Sequence, residues 1–149
     1  SDVCSSDLWV NQHGEETVAA YRSDSLGINR MRKMGIDAIV LSSEKNPVVT
    51  ARCMKMGVPA IQGVENKASV LTDYLLEKQI DPAEVIFVGN DVNDLPCFPL
   101  VGCAVVVNDA QEEALHAADY VLDRKGGMGA VRELCDLLVG RISKTHNSR

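Results

Sequence analysis

Short apolar runs of strand length recur along this chain at residues 38–41, 60–61, 85–88 and 104–107, with a weaker one at 120–122, and helical patterns fill the intervals. None of the runs alternates cleanly between apolar and polar residues, so each strand is expected to be covered on both faces. Alternation of buried strands with amphipathic helices points to an α/β fold in which a mostly parallel sheet carries helices on both sides. The first residues break the pattern: segments 8–10 and 17–21 flank the polar turn Asn11-Gln12-His13-Gly14 and read as a hairpin flap rather than a βα unit.

Helix boundaries are marked by their chemistry. Asp24 opens a helix that runs through Met34 to Gly35, and Asn46-Pro47 opens a second through Met56, closed by Gly57. Leu71, Leu75 and Leu76 stripe a third helix over 66–78, and Val131, Leu134, Leu137 and Leu138 stripe a last one over 130–139. These stripes are core. The polar segment 143–149 reads as a flexible tail.

At 149 residues, the chain is one domain's worth of material. A formal charge of −6 has the wrong sign for a nucleic-acid backbone or an anionic membrane surface, and no apolar run approaches the ~20 residues of a membrane span. The five cysteines form no C-x-x-C pair and His13, His116 and His146 are scattered, which argues against a zinc or disulfide scaffold and for a reduced, cytoplasmic setting.

In an open parallel sheet, ligands bind beyond the carboxyl ends of the strands, so the residues that follow each apolar run are the candidates for chemistry. Ser42 follows the first and offers a hydroxyl and backbone N–H groups to a phosphate, or simply caps. Lys67 lies beyond the second, as a charge for a phosphoryl group or as an ordinary surface lysine. Gly89-Asn90-Asp91-Val92-Asn93-Asp94 follows the third and concentrates oxygen ligands suited to a hard cation such as Mg²⁺; the plainer reading is a solvated turn in which Asn93 caps the segment 94–100. Gly126-Gly127-Met128-Gly129 lacks the third glycine of a dinucleotide fingerprint, Arg132 standing there instead, so it is either an anion-binding turn with Arg132 as a donor or a flexible connection.

Through GEETVAAYRSDSLGI, IVLSSEKNPVVTARC, QGVENK, VIFVGNDVNDLPCF and GGMGAVRELCDLL, from Trp9 to about Val139, the chain resembles the haloacid dehalogenase (HAD) superfamily. The likeness is to the compact subgroup of 3-deoxy-D-manno-octulosonate (KDO) 8-phosphate phosphatases, and above all to the phosphatase-like C-terminal domain of some bacterial N-acylneuraminate cytidylyltransferases. The resemblance implies a HAD-like Rossmannoid three-layer fold. It implies Mg²⁺-dependent hydrolysis of a sugar-acid phosphate (KDO 8-phosphate or nonulosonate 9-phosphate type) through an aspartyl-phosphate formed on the first Asp of a D-x-D pair. In that frame Ser42 and Lys67 are catalytic, Asn90 and Asp94 stand on the metal side, Asp24, Arg52 and Arg132 stand on the substrate side, and a homotetramer is implied.

The family's D-x-D motif has no match here, and it would fall immediately upstream of Ser1. Residues 1–8 fit neither the family nor a strand and read as non-native junction sequence, leaving 9–142 as a phosphatase domain without its first core strand. Asn90, where the family often carries Asp, and Glu44, where some members carry Arg, are further departures. The fragment is therefore expected to be inactive by itself, within a phosphatase that stands alone or is joined to a cytidylyltransferase. The competing expectation is a catalytically silent domain that holds a cytidylyltransferase in its oligomer.

Overall fold

The computed structural model describes residues 8–147. The hairpin is present: β1 (Leu8–Val10) pairs antiparallel with β2 (Glu16–Val18), and its turn is held by Asn11, whose Oδ1 accepts the N–H groups of His13 and Glu15. Then follow α1 (Ser23–Lys33), β3 (Val40–Leu41), α2 (Val48–Met56), β4 (Ala60–Ile61) and α3 (Lys67–Lys78). The second half contains β5 (Ile86–Gly89), a 3₁₀ segment (Val92–Leu100), β6 (Cys103–Val106), α4 (Glu112–Ala117), β7 (Tyr120–Val121) and α5 (Ala130–Asn147).

All pairing outside the hairpin is parallel, as the buried apolar runs require, but it comes in two pieces. β3 pairs with β4, and β5, β6 and β7 form a separate three-stranded sheet. Among the described residues β3 and β5 therefore each keep one unpaired edge. Both strands nonetheless border one cluster, in which Leu41 of β3 and Phe87 of β5 pack against Leu71 and Leu75 of α3. On the opposite side Val40 joins Ile28, Met31, Cys53, Met56 and Cys135 from α1, α2 and α5. A third cluster is built on β6, with Val105 and Val106 packed among Phe98, Ala114 and Ala130.

Three expectations are revised. α5 runs past its expected end at 139 to Asn147, the Ser143 hydroxyl donating back to the Val139 carbonyl. Segment 92–100 is 3₁₀ and is capped by Asp91, not Asn93: Pro96 and Pro99 lie inside it and cannot supply the α-helical N–H. The α4 turn, without a strong periodic signature, had no counterpart in the sequence reading. Residues 1–7, the bulk of the expected junction segment, lie outside the described residues.

Candidate active site

The loops after β3, β4 and β5 converge at the carboxyl ends of their strands and bring Ser42, Lys67, Asn90 and Asp94 into one neighbourhood. Ser42 is buried, its N–H donating to the Ile61 carbonyl and its carbonyl accepting from Val64, so the loops after β3 and β4 are zipped together. Its Oγ accepts the Glu44 N–H at 3.1 Å. A hydroxyl that accepts in this way keeps its own proton free to donate.

Lys67 is the first residue of α3, which Asn66 caps by accepting the Ser69 N–H. Its side chain is only 6% exposed, and Nζ lies 2.6 Å from Asp94 Oδ1, the Asp94 side chain being 3% exposed. Such a pair survives burial because each charge answers the other. The other oxygen, Oδ2, accepts from the backbone N–H groups of Asn90 (2.9 Å) and Asp91 (3.2 Å). Asp94 thus locks the loop and orients the lysine, and the remaining lone pair on Oδ1 is what it can offer a cation. Gly89 makes this approach possible: a Cβ there would stand 2.7 Å from the Asp94 Cβ.

Asn90 Oδ1 is buried and has no hydrogen-bond partner. A buried amide oxygen left unsatisfied costs free energy, and a hard cation would supply what it lacks. The fit to Mg²⁺ rests on that oxygen. Among the described residues no three His, Cys, Asp or Glu side chains cluster as a metal site. Across the mouth, Asn93 Nδ2 donates to Ser43 Oγ at 3.3 Å, tying the loop after β5 to the loop after β3.

Asp24, Arg52 and Arg132 form a second cluster at the α1–α5 contact. Asp24, wholly buried, accepts the Arg132 N–H at 3.0 Å through Oδ1 and so caps the first turn of α5 from α1. Burial raises its carboxyl above the usual range, against the Arg132 hydrogen bond and the charges of Arg52, Arg124 and Arg132. Its Oδ2 and the Nε of Arg52 are both buried without partners, while Arg52 Nη2 donates to the Tyr21 carbonyl at 2.9 Å. Arg124, which the sequence reading did not single out, lies over the Tyr21 ring at 6.0 Å from its centroid. Glu133 accepts from the Asp123 and Arg124 N–H groups, and Arg124, Arg132, Glu133, Asp136 and Leu137 line a cleft of about 320 Å³.

The model of the haloacid dehalogenase-like hydrolase family matches residues 60–134. A 3-deoxy-D-manno-octulosonate 8-phosphate phosphatase from Salmonella typhi is 36% identical over 133 residues, which are 89% of this chain and 71% of that protein. Among solved structures, a HAD family hydrolase from Streptomyces avermitilis superposes with a TM-score of 0.85 at 42% identity, covering 87% of this chain and 75% of its own. The 3-deoxy-D-manno-octulosonate 8-phosphate phosphatase from Moraxella catarrhalis, solved with a magnesium ion, a phosphate ion and KDO, gives 0.85 at 28% identity, covering 90% of this chain and 78% of its own.

Proposed function

This chain belongs to the haloacid dehalogenase-like hydrolase family, and we propose that its Ser42–Lys67–Asn90–Asp94 cluster serves Mg²⁺-dependent hydrolysis of a sugar-acid phosphate of the KDO 8-phosphate or nonulosonate 9-phosphate type. The enzyme class is phosphomonoester hydrolase, the class of the phosphatases it resembles. The observation that carries the reading is the buried Lys67–Asp94 pair beside the unsatisfied Asn90 oxygen, both at the carboxyl ends of parallel strands.

The residues divide the work by their free valences. Ser42 has a proton to donate to a phosphoryl oxygen, since its own oxygen is engaged by Glu44. Lys67 has three N–H bonds and spends one on Asp94, leaving two for phosphoryl oxygens. Asp94 keeps the lysine aimed. Asn90, with the last lone pair of Asp94, would hold Mg²⁺, which when bound would neutralise phosphoryl charge and make phosphorus more electrophilic. Arg52, Arg124 and Arg132, the last already paired with Asp136, would receive the carboxylate of the sugar-acid end, with the buried Asp24 behind them fixing the start of α5.

The nucleophile is not among these groups. The chain contains no D-x-D, and among the described residues no three His, Cys, Asp or Glu side chains gather for a cation and β3 and β5 each have an unpaired edge over shared core. An apolar strand ending in D-x-D and seated between β3 and β5 would meet all three needs. A homotetramer is the assembly this reading carries, and the hairpin, with Trp9 63% and Val10 60% exposed, offers an apolar surface to it. The described cysteines, Cys53, Cys97, Cys103 and Cys135, are free, in keeping with a cytoplasmic setting.

The test is phosphate release from KDO 8-phosphate and nonulosonate 9-phosphates by this chain and by the product of the intact gene. Release by the intact protein, abolished by chelation and absent from the 149-residue chain, is expected. Turnover by the 149-residue chain would overturn the assignment of an outside nucleophile. Silence of an intact protein that carries D-x-D would leave the domain as an assembly module of a cytidylyltransferase.

A further inference from the structure

Ser42 stands in a loop whose shape depends on one side chain from a different strand. Gln62, the first residue after β4, reaches across to the loop after β3, and its Nε2 donates to two carbonyls there, Asn46 at 2.9 Å and Glu44 at 3.3 Å. Its Oε1 accepts from the Thr50 hydroxyl of α2, so both donor hydrogens and the acceptor of the amide are in use. The same loop is closed from beneath by the Gly63 N–H on the Glu44 carbonyl. Glu44 is in turn the residue whose N–H fixes the Ser42 hydroxyl.

The loop is also tied by Asn46 Nδ2 to the Glu16 carboxylate and by Asn93 to Ser43, but the side chain that holds the Glu44 and Asn46 carbonyls is Gln62. The Glu44 carboxylate is turned onto the N–H groups of Lys45 and Asn46, which hold it below the usual carboxylate range, and the Asn46 side chain accepts from Val48 to start α2. Those are contacts within one stretch of chain. The side-chain link that spans from β4 to residues 44–46 is Gln62. Thr50 and Gln62 also tie α2 to the same point, so the loop is fixed against a helix as well as a strand.

We propose that Gln62 is a positioning residue for the phosphate-side half of the site: by clamping the Glu44 and Asn46 carbonyls it sets the Glu44 N–H, and through it the direction of the Ser42 hydroxyl. The inference rests on the phosphatase reading and adds to it a division of labour. Gln62 serves the half built on β3 and β4, whereas Asn90 and Asp94, on the loop after β5, serve the cation half.

The experiment uses the intact protein and reads three constants for each variant: KM for the sugar phosphate, the inhibition constant of orthophosphate, and the Mg²⁺ concentration for half-activation. Gln62→Glu is nearly isosteric but presents oxygen where two carbonyls need a donor. It is expected to raise KM and the orthophosphate constant together by about ten- to a hundredfold, the loss of two hydrogen bonds, with half-activation by Mg²⁺ unchanged. Thr50→Val removes only the anchor of Oε1 and is expected to shift the first two constants in the same direction by about three- to tenfold.

A residue that merely supported the fold would lower the active fraction and kcat while leaving both phosphate constants where they were, and that result would overturn the proposal. An equal shift in the Mg²⁺ constant would overturn it as well. Should Gln62→Glu fail to fold, Thr50→Val decides by the same criterion. An intact wild-type protein that neither releases nor binds phosphate would instead defeat the phosphatase reading.

Discussion

Replacing Asp94 with alanine tests the centre of the site without needing turnover. The substitution leaves the Lys67 ammonium buried at 6% exposure with its partner gone, a situation that costs about 3–5 kcal/mol. It also strips the acceptor from the Asn90 and Asp91 N–H groups, adding about 1 kcal/mol for each. The total of about 5–7 kcal/mol is a large part of the 5–15 kcal/mol typical of a domain. At about 3 °C per kcal/mol it corresponds to a fall in Tm of about 15–20 °C. Lys67→Met is expected to cost less, about 3 kcal/mol, because Asp94 retains its two backbone donors. The double variant removes both charges and should be more stable than the sum of the singles by at least about 2 kcal/mol. Urea unfolding followed by circular dichroism, with the m-value checked for constancy, measures all three. Singles that add to within about 0.5 kcal/mol would show that the two groups do not depend on one another, and the account of Asp94 as the lysine's holder would fall.

Gly89→Ala should cost about 1–3 kcal/mol, because the added methyl would meet the Asp94 Cβ at 2.7 Å; a midpoint within a few tenths of a molar of wild type would contradict that contact. Asp24 has a carboxyl raised by burial, so its contribution to stability is present when it is protonated and is lost as pH rises through the raised value. The wild-type Tm should therefore gain, relative to Asp24→Asn, as pH falls from neutrality toward the ordinary carboxylate range, since Asp24→Asn keeps an oxygen for the Arg132 N–H but does not ionise. Asp24→Ala, which loses the cap altogether, should lie about 1 kcal/mol below Asp24→Asn at every pH. Asn90→Asp adds a charge at the unsatisfied oxygen and should increase the Mg²⁺-dependent rise in Tm, read by differential scanning at fixed Mg²⁺; an unchanged response would remove Asn90 from the cation site.

The sequence announced the strands and the polar residues behind them because both signals are local: an uninterrupted apolar run such as 85–88, then Gly89 and a cluster of carboxylates and amides. Helix boundaries were equally local, as Asn66 before Lys67 and Gly57 after Met56 show, the latter closing α2 at φ 68°. What could not be read along the chain was partnership across it. Asp24 looks like a helix cap for α1 by position, yet its carboxylate caps α5, 108 residues away. Asp94 looks like a metal ligand by composition, yet two backbone N–H groups and Lys67 occupy most of its lone pairs. Gln62 carried no signal beyond its place after a strand, and Arg124 none at all. Sequence spacing determines which residues follow a strand; how their lone pairs are distributed is fixed only when the strands come together.

That distribution bears on why a neutral Asn90 fits this site. A phosphate dianion approaching Lys67 must share the ammonium with Asp94, whose carboxylate is 2.6 Å away and repels it. A second carboxylate at position 90 would hold a divalent cation more firmly but would add to that repulsion whenever the cation is absent. The amide oxygen reverses the balance, giving weaker affinity for the ion and a lower electrostatic barrier to phosphate. On the proposed phosphatase reading, a loop after β5 with a neutral Asn90 would rely more on Lys67 and the Ser42 loop to capture the phosphoryl group. The phosphate-side clamp around Gln62 would then matter more than it would in a site with Asp at position 90, where the cation carries a larger share of the binding.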